Sequence, residues 1–221
     1  MERLIVLDTE TTGIDPSEGH RIIEVGAVQI LDREITSTEF HRYVQPNRKV
    51  GESVNIHGIT DKFLINKPQF NQISDDLLSF IEGATLVIHN APFDLGFLNN
   101  ELKLIDIKET IESICTVIDT LKLSKQQRPG TMHNLDALCR RFGIDTSART
   151  RHGALLDAQI LAQVYLAMTG GQSSLFQEVT NTESNQTDPS LIKKVKENRD
   201  KIKVIYANKN ELEAHKNYFQ N

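Results

Sequence analysis

The chain has 221 residues, with 25 Lys and Arg against 30 Asp and Glu and a formal net charge of −5. Hydrophobic residues at 38% and charged residues at 25% fit a globular protein and exclude a disordered or membrane-embedded chain. The acidic balance also argues against a protein that coats nucleic acid through bulk positive charge.

In chain order, Leu4-Ile5-Val6-Leu7 is an apolar run too short for a signal peptide. It ends on Asp8 and suits a buried strand. Ile22–Leu31 predicts a second strand, and Phe40–Val44 a third that closes a meander. Ile73–Ile81 has helical spacing, with Leu77, Leu78 and Ile81 on one side. Thr85–His89 reads as another buried strand, and Phe93–Leu102 as the helix after it. Asn134–Phe142 and Ala154–Met168 predict two more helices. Strands alternating with helices give an α/β fold with a mixed sheet. Cys115 and Cys139 lie far apart with no CxxC spacing, which predicts buried, reduced thiols. No stretch approaches the roughly 20 apolar residues of a membrane span, so the expected location is the cytoplasm.

Composition divides the chain into a domain over 1–170, a linker over 171–189 and a C-terminal segment over 190–221. The linker has no Lys or Arg and is rich in Ser, Thr, Asn and Gln. It cannot bury enough apolar surface to offset its ordering entropy, which predicts flexibility. The last segment recovers helical and strand patterning and is basic, unlike everything before it. About 30 residues cannot build an independent core, so this segment is expected to order against a partner.

The informative residues are acids at the ends of apolar runs. Asp8 and Glu10 stand two apart, and in an extended strand positions i and i+2 share a face. Two converging anions beside a buried strand repel unless a cation lies between them, and hard cations such as Mg²⁺ or Mn²⁺ favour such oxygens. Asp94 falls near the start of a helix, where an acid also has an ordinary role against the helix dipole. Asp157 sits among Leu155, Leu156, Ile160 and Leu161, where an unpaired carboxylate is costly. His152 lies five residues earlier, about 140° around a continuous helix. The two meet only if His152 is on the loop entering the helix, a break that Gly153 makes easy. Taken singly, each residue has a structural explanation. Together, four acids and a histidine from three element ends spell metal-assisted phosphodiester hydrolysis, with the histidine able to deprotonate a water.

At these residues the sequence resembles the DEDD 3′–5′ exonucleases of the ribonuclease H-like fold, histidine subclass. The likeness lies in LDTETTG (7–13), HNAPFDLGFL (89–98) and HGALLDAQILAQVY (152–165). It extends through RIIEVGAV (21–28), NIHGIT (55–60) and NLDALCRRFGI (134–144), in the family's order. The resemblance implies a ribonuclease H-like mixed sheet flanked by helices. It also implies two Mg²⁺ or Mn²⁺ ions held by Asp8, Glu10, Asp94 and Asp157, with His152 as general base. Thr11, Glu52 and His57, together with Asp8, Glu10 and Asp157, are implied to hold the terminal nucleotide of a single-stranded or mispaired DNA 3′ end.

Within the family the chain is most similar to proofreading subunits of bacterial replicative polymerases. That likeness assigns 190–221 to the catalytic (alpha) subunit of DNA polymerase III. Gln172, Leu175 and Phe176 in QSSLF look like a peptide that docks on a sliding clamp, although Leu-Phe could equally cap the preceding helix. Two rival readings are an RNA-directed exonuclease of the same fold and a non-catalytic link between polymerase and clamp.

Overall fold

The computed structural model describes residues 2–147, 149 and 151–170. The expected linker, the Gln172–Phe176 peptide and the segment 190–221 lie outside these residues.

Strand β1 (Arg3–Thr11) pairs antiparallel with β2 (Ile22–Leu31), which pairs antiparallel with β3 (Glu34–Tyr43). Asp32 and Arg33 join β2 to β3, both at positive φ (48° and 68°), the backbone twist that suits a tight hairpin. After the short helices α1 (Val54–His57) and α2 (Asp61–Leu64) comes α3 (Ser74–Ile81). Strand β4 (Thr85–Ile88) then runs parallel to β1 and leads into α4 (Ala91–Leu104). Helix α5 (Ile111–Ile114) precedes β5 (Thr116–Asp119), parallel to β4, and α6 (Thr120–Gln127) follows. Helices α7 (Leu135–Phe142) and α8 (Ala154–Gly170) complete the described part. The sheet order is β3-β2-β1-β4-β5.

Several sequence-based bounds need correcting. β3 begins at Glu34 rather than Phe40, because as an edge strand it is mostly exposed and carries no apolar run. α4 begins two residues earlier than Phe93: Pro92 sits in its first turn, where a missing N–H costs nothing. β5, α5 and α6 escaped the pattern reading because β5 has only four residues, none of them fully buried.

Residue parity on β1 sets the functional geometry. Ile5 and Leu7 pack with Leu77, Ile81, Leu95 and Leu98 on the α3/α4 face. Leu4 and Val6 pack with Ala158, Leu161, Ala162 and Tyr165 of α8 on the other face. Asp8 and Glu10 continue the even register and therefore face α8. Thr9, buried at 6%, continues the odd register toward α4. α8 is apolar nearly all round because it lies between the sheet and α7, whose Leu138 and Cys139 touch Ile160 and Val164. Cys115 and Cys139 are both buried and free.

The pairing partner of Asp8 on β2 is Gly26. A Cβ there would lie 2.1 Å from the Leu155 backbone nitrogen and 2.3 Å from the Ala154 carbonyl carbon. The first turn of α8 thus rests directly on the sheet beside Asp8, closer than any side chain permits. Gly26→Ala should lower the urea unfolding free energy by at least about 2 kcal/mol, since the clash is with backbone that must shift as a body. An unchanged midpoint would show that α8 does not depend on this contact.

Candidate active site

The C-terminal ends of β1 and β4 are adjacent and parallel, the place where α/β sheets present site residues. Asp8 and Glu10 reach it from β1. Asp94 reaches it from the first turn of α4, because Asn90 turns the chain at φ 65° directly after β4. Asp157 comes from the first turn of α8, with its N–H bonded to the Gly153 carbonyl at 2.9 Å. Asp94 and Asp157 are 3% and 4% exposed. The Thr9 hydroxyl donates to Asp94 Oδ1 at 2.7 Å, tying the first turn of α4 to the end of β1.

Charges of one sign dominate here. Burial first, then the carboxylates of Asp94, Asp157 and Glu10, holds the Asp8 carboxyl well above the ordinary range. Burial likewise, with Asp157, Glu24 and Asp94 adding to it, pushes Glu10 up to about 8. Asp94 is pushed up to about 7 by burial, against the lowering effect of the Thr9 hydrogen bond. Arg149 is the cation that opposes this for both Asp8 and Glu10.

His152 lies outside α8, on the loop before it, as the sequence requires if it is to meet Asp157. Its Nδ1 is 3.1 Å from Asp157 Oδ2, with the side chain 48% exposed. Gly153 has open space around it and no positive φ, so the turn does not depend on glycine there. One oxygen or nitrogen each from Glu10, His152 and Asp157 lie within 4.8 Å of one another.

His57 is 6% exposed, and its Nδ1 accepts the Ile59 N–H at 3.0 Å. That bond fixes the ring hydrogen on Nε2, which is buried without a hydrogen-bond partner among the described residues. Burial pushes this imidazole below its ordinary value, against the raising effect of the Glu24 carboxylate. Glu52 is exposed on a short turn, Gly51–Ser53, and lines a cleft of about 520 Å³ with Thr12, His20, Arg48, Asn55 and Ile56. The Thr11 hydroxyl is spent on the Gly13 carbonyl at 2.6 Å.

The Exonuclease (RNase_T) family model matches residues 5–165. The chain is 47% identical to the DNA polymerase III subunit epsilon of Pasteurella multocida, over 98% of its length and 87% of that protein. Against the same subunit of Escherichia coli it is 46% identical, over 96% and 90% respectively.

The chain belongs to the epsilon-subunit family of exonucleases.

Exonuclease X in complex with 5′-overhanging duplex DNA is 25% identical, with a TM-score of 0.58, covering 76% of this chain and 91% of that one. Zinc-bound exonuclease I of E. coli with single-stranded DNA is 17% identical at a TM-score of 0.67, covering 81% and 43%, a likeness of fold alone. The chain is thus a 3′–5′ exonuclease with the mixed sheet of that fold.

The exonuclease family is metal-dependent, and this epsilon-family site fits a hard cation. Buried carboxylates held far above their usual pKa, with a histidine beside them, form an oxygen-rich donor set short of positive charge. No described helix is long and apolar enough to cross a membrane.

Arg149 is the residue that pattern reading missed. Its Nε and Nη2 donate to Asp157 Oδ1 and Oδ2 at 2.5 and 2.7 Å. Nη2 also lies 2.8 Å from His152 Nδ1, and Nη1 donates to Asp136 on α7. The signal was available: a carboxylate buried at Asp157 needs a positive partner, and the loop before it is ARTRHG.

The raised carboxyls carry a pH signature. A folded-state pKa above the unfolded one stabilises the protein below the unfolded value, and this is lost as pH rises through the folded value. With a chelator present, Glu10→Gln should therefore gain stability relative to wild type between pH 6 and 9. Urea midpoints at four pH values measure it, and a pH-independent difference would contradict the buried, repelled state of Glu10.

Proposed function

We propose that this chain trims mispaired 3′-terminal nucleotides from DNA one at a time, releasing 5′-mononucleotides, while attached to a replicative polymerase. The observation that carries this reading is the convergence of Asp8, Glu10, Asp94 and Asp157 with His152 at the C-terminal ends of the central strands. Near full-length identity to epsilon subunits favours the DNA reading over the RNA-directed exonuclease. Three acids held above the usual carboxylate range, Asp8, Glu10 and Asp94, speak against a non-catalytic scaffold.

Asp8, Glu10, Asp94 and Asp157 would hold two divalent cations, Mg²⁺ or Mn²⁺. When bound, such cations polarise the phosphodiester and favour ionised water and alkoxide oxygens. His152, half-exposed beside Asp157, takes the proton of the attacking water. The water oxygen forms a bond to phosphorus as the bond to the 3′ oxygen breaks, and that oxygen leaves to collect a proton from solvent. His57 presents its unpartnered Nε2–H to an oxygen of the terminal nucleotide. The cleft walled by Glu52, Ile56 and Arg48 offers room for sugar and base. Since the Thr11 and Thr12 hydroxyls are bonded to Gly13 and His20, Thr11 would contribute through its backbone.

The segment 190–221, with eight Lys and Arg against four Asp and Glu, would dock on the alpha subunit, and Gln172, Leu175 and Phe176 on the sliding clamp. Residues 177–189 would span roughly 20 Å as a coil, keeping the nuclease near the primer end.

On 3′-labelled single-stranded DNA, His152→Ala should lose about 10²- to 10⁴-fold in rate, as removal of a general base does. Asp8→Ala should lose at least as much. Near-wild-type rates in both, with folding intact by circular dichroism, would refute the assignment. Deleting 190–221 should abolish co-elution with the alpha subunit yet leave DNA trimming intact, whereas lost trimming would mean that the segment completes the nuclease.

A further inference from the structure

Arg149 is out of place if the site is read only as a receptor for cations. Its guanidinium makes a two-point pair with Asp157 and a further bond to His152 Nδ1. Asp157 and His152 are two of the three groups that could share one ion with Glu10. The Arg149 side chain is only 9% exposed, so these bonds are shielded from water. A guanidinium never deprotonates and only donates. In this arrangement both Asp157 oxygens are therefore engaged. His152 Nδ1 lies 2.8 Å from Nη2 and 3.1 Å from Asp157 Oδ2, enclosed between the guanidinium and the carboxylate.

We infer that Arg149 is a resident counter-ion that locks the metal-free site, and that divalent cations must displace it from Asp157 and His152 before hydrolysis begins. This rests on the metal reading above. A guanidinium and a dication cannot both face Asp157 closely: the same carboxylate oxygens would be shared between like charges. Once Asp157 turns to a cation, the guanidinium loses its paired acceptors and His152 Nδ1 is uncovered. The third bond, to Asp136 at the surface of α7, gives Arg149 a place to rest. Asp136 is 54% exposed and takes no part in the carboxylate cluster, so the guanidinium can stay with it in water. The lock would thus keep Asp157 paired and His152 Nδ1 enclosed until the cations arrive.

The full-length chain tests this by isothermal titration with Mn²⁺ and by the Arg149 Nε–H resonance of ¹⁵N-labelled protein. Arg149→Gln should bind Mn²⁺ about tenfold more tightly than wild type, the size of one charge-assisted bond pair no longer given up. Arg149→Lys, which cannot bridge both Asp157 oxygens, should fall between them. Arg151→Gln, which removes a nearby exposed charge, should change affinity by less than about twofold if displacement rather than bulk charge is responsible. In wild type the Nε–H should be slow to exchange without metal and fast at saturating Mg²⁺. Equal or weaker binding by Arg149→Gln, or an Nε–H that stays protected with Mg²⁺, would overturn the lock but leave the metal reading standing. Absence of Mn²⁺ binding by every protein would overturn both.

Discussion

Buried carboxylates brought within range of one another oppose folding twice, once by leaving water and once by facing like charge. The corner where β1, α4 and α8 meet accepts both costs. Asp8, Glu10 and Asp94 are all held above the usual carboxylate range, by burial above all, so this corner disfavours uncompensated negative charge. A core does not retain such a group for packing. The arrangement is stable only when something positive completes it, and the surrounding elements are disposed to make that completion possible.

Rigid elements carry the acids and a loop carries the bases. β1 fixes Asp8 and Glu10 by parity, α4 fixes Asp94 through its first turn and the Thr9 bond, and α8 fixes Asp157. Gly26, opposite Asp8, lets α8 settle on the sheet and so sets how near Asp157 comes to β1. Arg149 and His152 come from the stretch between α7 and α8, where the chain is not tied into a helix or strand. Permanent ligands belong on elements that do not move, because small misplacements change cation affinity. Groups that must exchange partners during a cycle belong on connecting segments.

Much of this was legible in the sequence. Apolar runs in β1, β2 and β4 pointed to the central sheet, and the acids that follow the runs of β1 and β4 marked the site. The hairpin partner β3 was half hidden because an edge strand needs no apolar face. The role of Gly153 was misread: a glycine before a helix suggested a special turn, whereas the backbone there is ordinary. Arg149 was missed for a more general reason. Pattern reading pairs residues by periodicity along one element, and a cation eight residues before its acid, on a loop, has no period. Electrostatic accounting would have found it, since Asp157 in an apolar helix demanded a partner that the helix itself lacks.

The net charge of −5 then takes on a different meaning. Affinity for nucleic acid through a basic coat scales with the number of phosphates neutralised along the strand. An enzyme that acts on a chain end needs only to neutralise the phosphate it cleaves and the one or two beside it. The two dications proposed above would cancel the charge of the four carboxylates there without altering the surface elsewhere. Arg48 and Lys49 on the wall of the neighbouring cleft would add positive charge where the strand continues past its last phosphate. An acidic exterior with a cation-completed corner favours capture of a frayed 3′ end over coating of the duplex behind it. That preference distinguishes a proofreading nuclease from one that grips DNA wherever it meets it.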